Sequence, residues 1–77
     1  MNNTGYTIKR IREQKGYSQE FMAAKLNITQ ATYARMESQE IQIKIERLQK
    51  IADILETDIL SFLNNSKVNN KNQIIIE

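Results

Sequence analysis

The 77-residue chain contains no cysteine, no histidine and no proline, and only two glycines. The lack of cysteine excludes disulfides and thiolate chemistry, and the lack of histidine removes the commonest metal ligand and general base. No apolar run approaches the roughly 20 residues of a membrane-spanning helix. The polar start, residues 1–5, does not resemble a signal peptide. We therefore expect one small cytoplasmic domain with no metal site and no cofactor.

The acidic residues do not form a catalytic motif either. Asp53, Glu56 and Asp58 cluster at a predicted helix end, where capping and charge balance explain them. The sequence has no glycine-rich phosphate loop, no nucleophile–base set and no metal-ligand spacing. We therefore predict that the protein is not an enzyme.

The formal net charge is only +2, which by itself does not indicate nucleic-acid binding. Four cations nevertheless crowd the first helical stretch (Lys9, Arg10, Arg12 and Lys15), with only Glu13 among them. This pattern is typical of a solvated helix face and also of a surface that meets phosphate.

The spacing of apolar residues predicts an all-α domain over residues 1–63, built as a compact bundle of five helices. The helices are expected at 7–15, 18–26, 30–38, 45–55 and 59–63. Ser18, Thr29 and either Thr57 or Asp58 serve as N-caps, and Gly16 ends the first helix in the left-handed conformation. The expected core is Ile8, Ile11, Met22, Leu26, Tyr33, Met36, Leu48, Ile51, Ala52 and Leu55.

Two segments are less regular. In residues 39–44 and just beyond, Ile41, Ile43 and Ile45 alternate, and we favour a loop whose isoleucines enter the core over a strand. Residues 64–77 form a polar, Asn- and Lys-rich tail that ends in three isoleucines. That end is either frayed or a short strand that pairs with a second copy through Ile74, Ile75 and Ile76.

Residues 18–37 are the most informative segment. Ala23 is small where two helices would cross, and Asn27 tolerates the left-handed conformation that a sharp turn needs. Leu26, Ile28, Tyr33 and Met36 would fill the wedge between the helices. This arrangement predicts a helix-turn-helix, which places its second helix in the DNA major groove, rather than an ordinary helical hairpin.

Several stretches resemble one known family over about residues 6–63. They are IKRIREQKGYSQE at 8–20, AAKLNITQ at 23–30, RME at 35–37 and LQKIADIL at 48–55. In this combination the chain resembles the Cro-like and phage-repressor-like (XRE-type) helix-turn-helix regulators. The resemblance implies a five-helix bundle that binds double-stranded DNA as a homodimer on a palindromic operator.

The resemblance also implies residue roles. Gln19 would contact phosphate, and Gln30, Ala31, Thr32 and Arg35 would face the groove. Arg12 and Glu37 would form an internal ion pair that also aims Arg12 at phosphate. The complete DNA-binding set implied is Gln19, Gln30, Ala31, Thr32, Arg35, Arg12, Ser18, Thr29 and Lys44.

The chain departs from the family after the third helix. Gln39 stands where the family usually has glycine, Ile43 and Lys44 where it often has proline and serine, and Glu40 lies in a loop that is often basic. Lys44 and Arg47 are the candidate phosphate partners there. An apolar set near the end of the domain is either a dimer interface or part of the core: Ile54, Leu60, Phe62 and Leu63.

These observations predict a small sequence-specific regulator, expected to be a repressor and to associate with the nucleoid when bound, with half-sites about 10 bp apart. The alternative is a protein-interaction module on the same fold, such as an antitoxin or adaptor. In that case the contact would be made by Ile54, Leu60 and Ile74 to Ile76. Neither hypothesis includes a small-molecule ligand.

Overall fold

The computed structural model describes residues 4–63 and two short segments, 67–68 and 74–75. Four α-helices are followed by a 3₁₀ helix and a two-stranded antiparallel pair, in which Lys67 lies opposite Ile75 and Val68 opposite Ile74. The bounds are α1 Thr4–Gln14, α2 Gln19–Leu26, α3 Gln30–Glu37, α4 Ile45–Ile54, the 3₁₀ helix Ile59–Phe62, β1 Lys67–Val68 and β2 Ile74–Ile75. No helix among these residues is both long and apolar enough to cross a membrane.

The all-helical domain is confirmed, but with four α-helices rather than five. The predicted fifth helix is a single 3₁₀ turn, and Asp58 caps its start by accepting a hydrogen bond from the Leu60 amide (3.0 Å). The carbonyl of Asp58 then accepts from the Ser61 amide at 2.9 Å, which is the i to i+3 pattern. The other predicted helix ends differ from the observed ones by about one residue, except at the start of α1.

Helix α1 begins at Thr4, three residues earlier than predicted, because its first turn packs against the end of α3. A Cβ atom on Gly5 would lie 2.5 Å from the Glu37 carbonyl oxygen and 2.6 Å from that of Met36. The Thr4 hydroxyl donates to the Phe62 carbonyl at 3.3 Å, so it ties the start of the domain to the 3₁₀ helix. Only glycine allows two helix backbones to approach this closely.

All four α-helices end in the same way. After each last turn one residue adopts positive φ: Gly16 (76°), Asn27 (59°), Gln39 (66°) and Glu56 (55°). The next amide then bonds five residues back, as from Tyr17 to Arg12 or from Ile28 to Ala23. This is the Schellman motif. The predicted left-handed conformations of Gly16 and Asn27 are confirmed.

The core contains most of the predicted side chains, with Leu26 and Ile11 at its edge. Phe62 and Leu63 are also buried, so of the two alternatives left open for them the structure supports the core, since the 3₁₀ helix turns both of them inward against the domain. Of that set Ile54 is partly buried, and Leu60 is 62% exposed. The isoleucine loop also differs from the prediction: Ile43 packs on the core, but Ile41 and Ile45 remain 37% and 43% exposed.

Candidate nucleic-acid interface

Helices α2 and α3 are joined by only three residues, 27–29, and pack directly on each other. The Schellman turn at Asn27 reverses the chain, and the Ile28 amide bonds to the Ala23 carbonyl at 3.0 Å. Ala23 is buried, so a larger side chain there would separate the helices. The geometry predicted for residues 18–37 is therefore present in the structure.

The first turn of α3 is held by its cap. The Thr29 hydroxyl oxygen accepts from the Thr32 amide at 3.1 Å, and the Thr29 hydroxyl donates to the Thr32 hydroxyl oxygen at 2.9 Å. The Thr32 hydroxyl proton is then still available as a donor. Gln30 and Ala31 follow the cap and are exposed to solvent.

Arg35 lies one turn after Ala31 on the exposed side of α3. Within residues 4–63 its guanidinium has no carboxylate within 4.0 Å, so its donors are free to bind another molecule. Gln30, Ala31 and Arg35 are thus all exposed on α3, and Ala31 and Arg35 share one face of the helix. Thr32 lies half-buried at the edge of this face.

The start of α2 is fixed in two ways. The Ser18 hydroxyl oxygen caps the helix by accepting from the Phe21 amide at 2.9 Å. The half-buried Gln19 donates from Nε2 to Glu37 Oε1 at 3.1 Å, which joins the start of α2 to the end of α3. Only one of its two amide protons is used in this bond, so the other and the amide oxygen are available to a phosphate or water.

Arg12 and Glu37 form the predicted ion pair in the interior. Arg12 Nε lies 2.6 Å from Glu37 Oε2, and Nη2 lies 3.1 Å from Oε1. A third donor, Nη1, binds the Tyr17 carbonyl at 2.7 Å. With three of five guanidinium donors used inside and 7% of the residue exposed, Arg12 holds α1 to α3 and does not present its charge at the surface.

This pairing shifts the pKa of each partner. Burial, the largest single effect, raises the pKa of the Glu37 carboxyl, but the hydrogen bonds it receives and the charge of Arg12 together outweigh burial, so the pKa is lowered. The hydrogen bond to Glu37 raises the pKa of Arg12 against the opposing effect of burial. Glu37 therefore stays ionised although only 6% of it is exposed.

Tyr33 lies beside this pair with its hydroxyl buried and, among the described residues, without a hydrogen-bond partner. Burial, followed by the proximity of the Glu37 carboxylate, raises the pKa of Tyr33 far above its ordinary value. Sequence reasoning placed Tyr33 in the core but missed its position next to the ion pair. It also missed that Gln19 binds Glu37, because nothing in the spacing of 19 and 37 indicates that contact.

The segment after α3 carries the last predicted contact. Lys44 is exposed and is the N-cap residue of α4, although its side chain makes no capping bond. Glu40 is held by the Ser38 hydroxyl, which lies 2.9 Å from Glu40 Oε2.

Within the described part of the chain no three acidic side chains are placed to hold a metal ion.

The predicted tail contact is only partly visible. Ile74–Ile75 forms a strand, but in this structure it pairs with Lys67–Val68 of the same chain. Ile76 lies outside the described residues. Pairing with a second copy stays a prediction.

The geometry agrees with what comparisons with known proteins find. The sequence profile of the helix-turn-helix family HTH_3 matches residues 8–62. The crystal structure of an HTH_3 family transcriptional regulator from Vibrio cholerae matches 83% of this chain with a TM-score of 0.72 and 26% identity. The match spans 36% of that protein's length. None of the curated proteins matches the chain.

Proposed function

The chain belongs to the helix-turn-helix family HTH_3, and on that premise we propose that it is a sequence-specific DNA-binding regulator of transcription. The observation that carries the proposal is the exposed side of α3, which presents Gln30, Ala31 and an Arg35 guanidinium that has no partner inside the described domain. The expected resemblance to XRE-type regulators is confirmed by the family match and by the related fold.

The proposed mechanism places α3 in the major groove. Gln30 has the amide that pairs with adenine, and Arg35 has the fork that pairs with guanine, while Ala31 and the Thr32 methyl suit a thymine methyl group. Gln19, Ser18, Thr29 and Lys44 would meet the backbone on either side. The contacts with the DNA backbone would fix the register of the helix, and the base contacts would supply the specificity.

The buried Arg12–Glu37 ion pair would support this interface from the interior of the domain. Glu37 binds both Arg12 and Gln19, so it couples the end of α3 to the start of α2. A helix-turn-helix reads bases only if its second helix is held at a fixed depth while the first crosses the backbone. Arg12 is thus proposed to position the interface, in place of a direct phosphate contact.

We further propose that the protein acts as a homodimer on a palindromic operator, with half-sites about 10 bp apart. Leu60 supports this proposal, since a leucine that is 62% exposed suits a two-fold contact, and Ile54 is also only partly buried. The edge of Ile74–Ile75 is a second candidate contact. Repression, in the cytoplasm and on the nucleoid, is the action we propose because occupying an operator is sufficient for it.

A salt titration of duplex binding tests the proposal. The site is obtained by selection from random duplexes, and its affinity is compared with that of a scrambled duplex by fluorescence anisotropy. We expect a strong preference for the selected site and a steep loss of affinity with salt. No binding to any duplex at low salt would reject the proposal.

Variants separate base contacts from general attraction. Arg35→Ala should reduce the preference for the selected site by about 1–3 kcal/mol, and Gln30→Ala should act similarly at a different base pair. Arg10→Ala is the matched control, because it removes the same charge from the exposed face of α1. Equal losses for Arg35→Ala on all duplexes would assign that residue to phosphate instead.

The second candidate function is a protein-interaction module, and the exposure of Leu60 is the observation that favours it. Sedimentation of Leu60→Ser distinguishes the roles of this residue. A monomer that has lost operator binding supports the dimeric regulator. Unchanged self-association and unchanged operator binding would indicate that Leu60 contacts a different protein partner.

A further inference from the structure

A cleft of about 390 Å³ lies between the end of α3 and the start of α4, beside the face proposed to bind DNA. Its walls carry Lys44, Arg47 and Lys50, opposed by a single carboxylate, Glu46. The exposed Ile41 supplies its apolar floor, and Met36 also lines it although only 1% of that residue is exposed. The cleft therefore combines an excess of positive charge with apolar surface.

The three cations are free. Within residues 4–63, none of them has a carboxylate oxygen within 4.0 Å, and even Glu46 forms no ion pair. Their mutual repulsion is relieved when an anion binds between them. Arg47 is half-buried, so its charge is held at the cleft and less screened than that of a fully exposed side chain.

The start of α4 is unfavourable for the isolated domain. A helix N-terminus favours a capping oxygen and acidic residues, but this one has Lys44 as a cap without a side-chain bond, and the one acidic residue of its first turn, Glu46, is followed at once by Arg47. Sequences break such local rules most often where a surface serves a partner. The positive end of the helix and the three cations all favour a bound anion.

We propose that this cleft binds an acidic segment of a partner protein, one in which an apolar side chain lies beside carboxylates. Carboxylates would pair with Lys44, Arg47 and Lys50, and the apolar side chain would cover Ile41. The cleft is open to solvent, whereas small-molecule sites enclose most of their ligand. A duplex backbone would satisfy the charges but would not use the apolar floor.

Binding of such a segment would also oppose DNA binding, because Lys44 belongs to both surfaces. The proposal predicts that one bound partner weakens the attraction of the other through shared charge. Peptide binding itself does not depend on the regulator hypothesis, since it is measured without DNA.

The test uses isotope-labelled protein and a short synthetic peptide that carries leucines between glutamates. One control peptide replaces the leucines by serine, and another replaces the glutamates by glutamine. We expect the NMR shifts of Ile41, Lys44, Arg47 and Lys50 to move most, and the parent peptide to bind more tightly than both controls. Equal binding of the serine peptide would overturn the proposal, because it would show attraction of polyanions only.

Two surface variants complete the test. Lys50→Glu should weaken peptide binding about fivefold or more, while Lys9→Glu, which makes the same charge change on exposed α1, should weaken it much less. Ile41→Ser should weaken peptide binding without changing duplex affinity. Equal losses from Lys50→Glu and Lys9→Glu would refute the proposal, and so would a parallel loss of duplex binding in Ile41→Ser, which would assign the cleft to DNA.

Discussion

Removing Arg12 should invert the pH dependence that Glu37 contributes to stability. In the native protein the carboxyl of Glu37 has a pKa below its usual value of 4.5 because Arg12 binds it. A group whose pKa is lowered by folding stabilises the protein above that usual value, and the contribution is lost as the pH falls through the folded pKa. In Arg12→Met the same carboxyl is buried without its cation, so its pKa is raised and its charge becomes destabilising.

The magnitude follows from the contacts. Arg12 makes two hydrogen bonds to Glu37 and one to the Tyr17 carbonyl, and both side chains are almost fully buried. Breaking such a pair by removing one partner costs about 3–5 kcal/mol. A domain of this size unfolds with a free energy on the order of 3–9 kcal/mol, so Arg12→Met should be marginally folded near neutral pH.

The double variant Arg12→Met/Glu37→Gln is the matched comparison. It removes the uncompensated charge but keeps a side chain whose oxygen can still accept from Gln19 Nε2. We expect urea unfolding, followed by circular dichroism, to show the double variant about 2 kcal/mol more stable than Arg12→Met near neutral pH. The gap should close as the pH falls and protonates Glu37 in the single variant.

Two outcomes would refute this reasoning. If the double variant is no more stable than Arg12→Met near neutral pH, the loss comes from packing around the Arg12 stem and not from the stranded carboxylate. If the two variants differ by a constant amount at every pH, the group responsible is not Glu37.

Three further outcomes can be measured by the same unfolding assay. Gly5→Ala should lower the unfolding free energy by about 1–3 kcal/mol because the alanine Cβ would meet the Glu37 carbonyl, although alanine normally favours a helix. A gain in unfolding free energy would disprove the close approach. Gln39→Gly should raise the unfolding free energy by up to about 1 kcal/mol because glycine adopts positive φ without strain, whereas Gln39→Ala should not raise it. Equal effects of the two substitutions would show that positive φ is not the cause. Gln19→Glu should destabilise the protein about 1 kcal/mol more than Gln19→Ala near neutral pH, because it puts a second carboxylate beside Glu37. The reverse order would mean that Gln19 does not bind Glu37 in solution.

The elements that could be predicted from the sequence are those with local causes. Ser18 and Thr29 cap the helices they precede, and Gly16 and Asn27 adopt the conformations expected for their residue types. The Arg12–Glu37 pair also followed from the sequence, but only through a family resemblance. Sequence spacing alone does not connect two residues that lie 25 positions apart.

What could not be predicted has tertiary causes. From the sequence, residues 4–6 looked like a polar end that precedes α1. Gly5 is needed because the backbone of α3 approaches it closely, and nothing near Gly5 in the sequence indicates that contact. The depth of the Arg12–Glu37 pair could not be predicted for the same reason: it depends on how α1 packs against α3, and in the fold both side chains are almost fully buried. Phe62 and Leu63 are similarly ambiguous until the 3₁₀ turn orients them.

Gln39 shows how a departure from a family pattern can leave the fold unchanged. The family's usual glycine is absent, yet Gln39 adopts φ of 66° and the Glu40 amide still bonds to the Arg35 carbonyl at 2.9 Å. Left-handed backbone costs a non-glycine residue about 1–2 kcal/mol, so the packing around the end of α3 must outweigh that cost. The same end of α3 accepts Gly5 and carries Glu37. The left-handed turn is therefore imposed by the contacts that hold the proposed DNA-binding helix in place, and glycine is favourable there without being required.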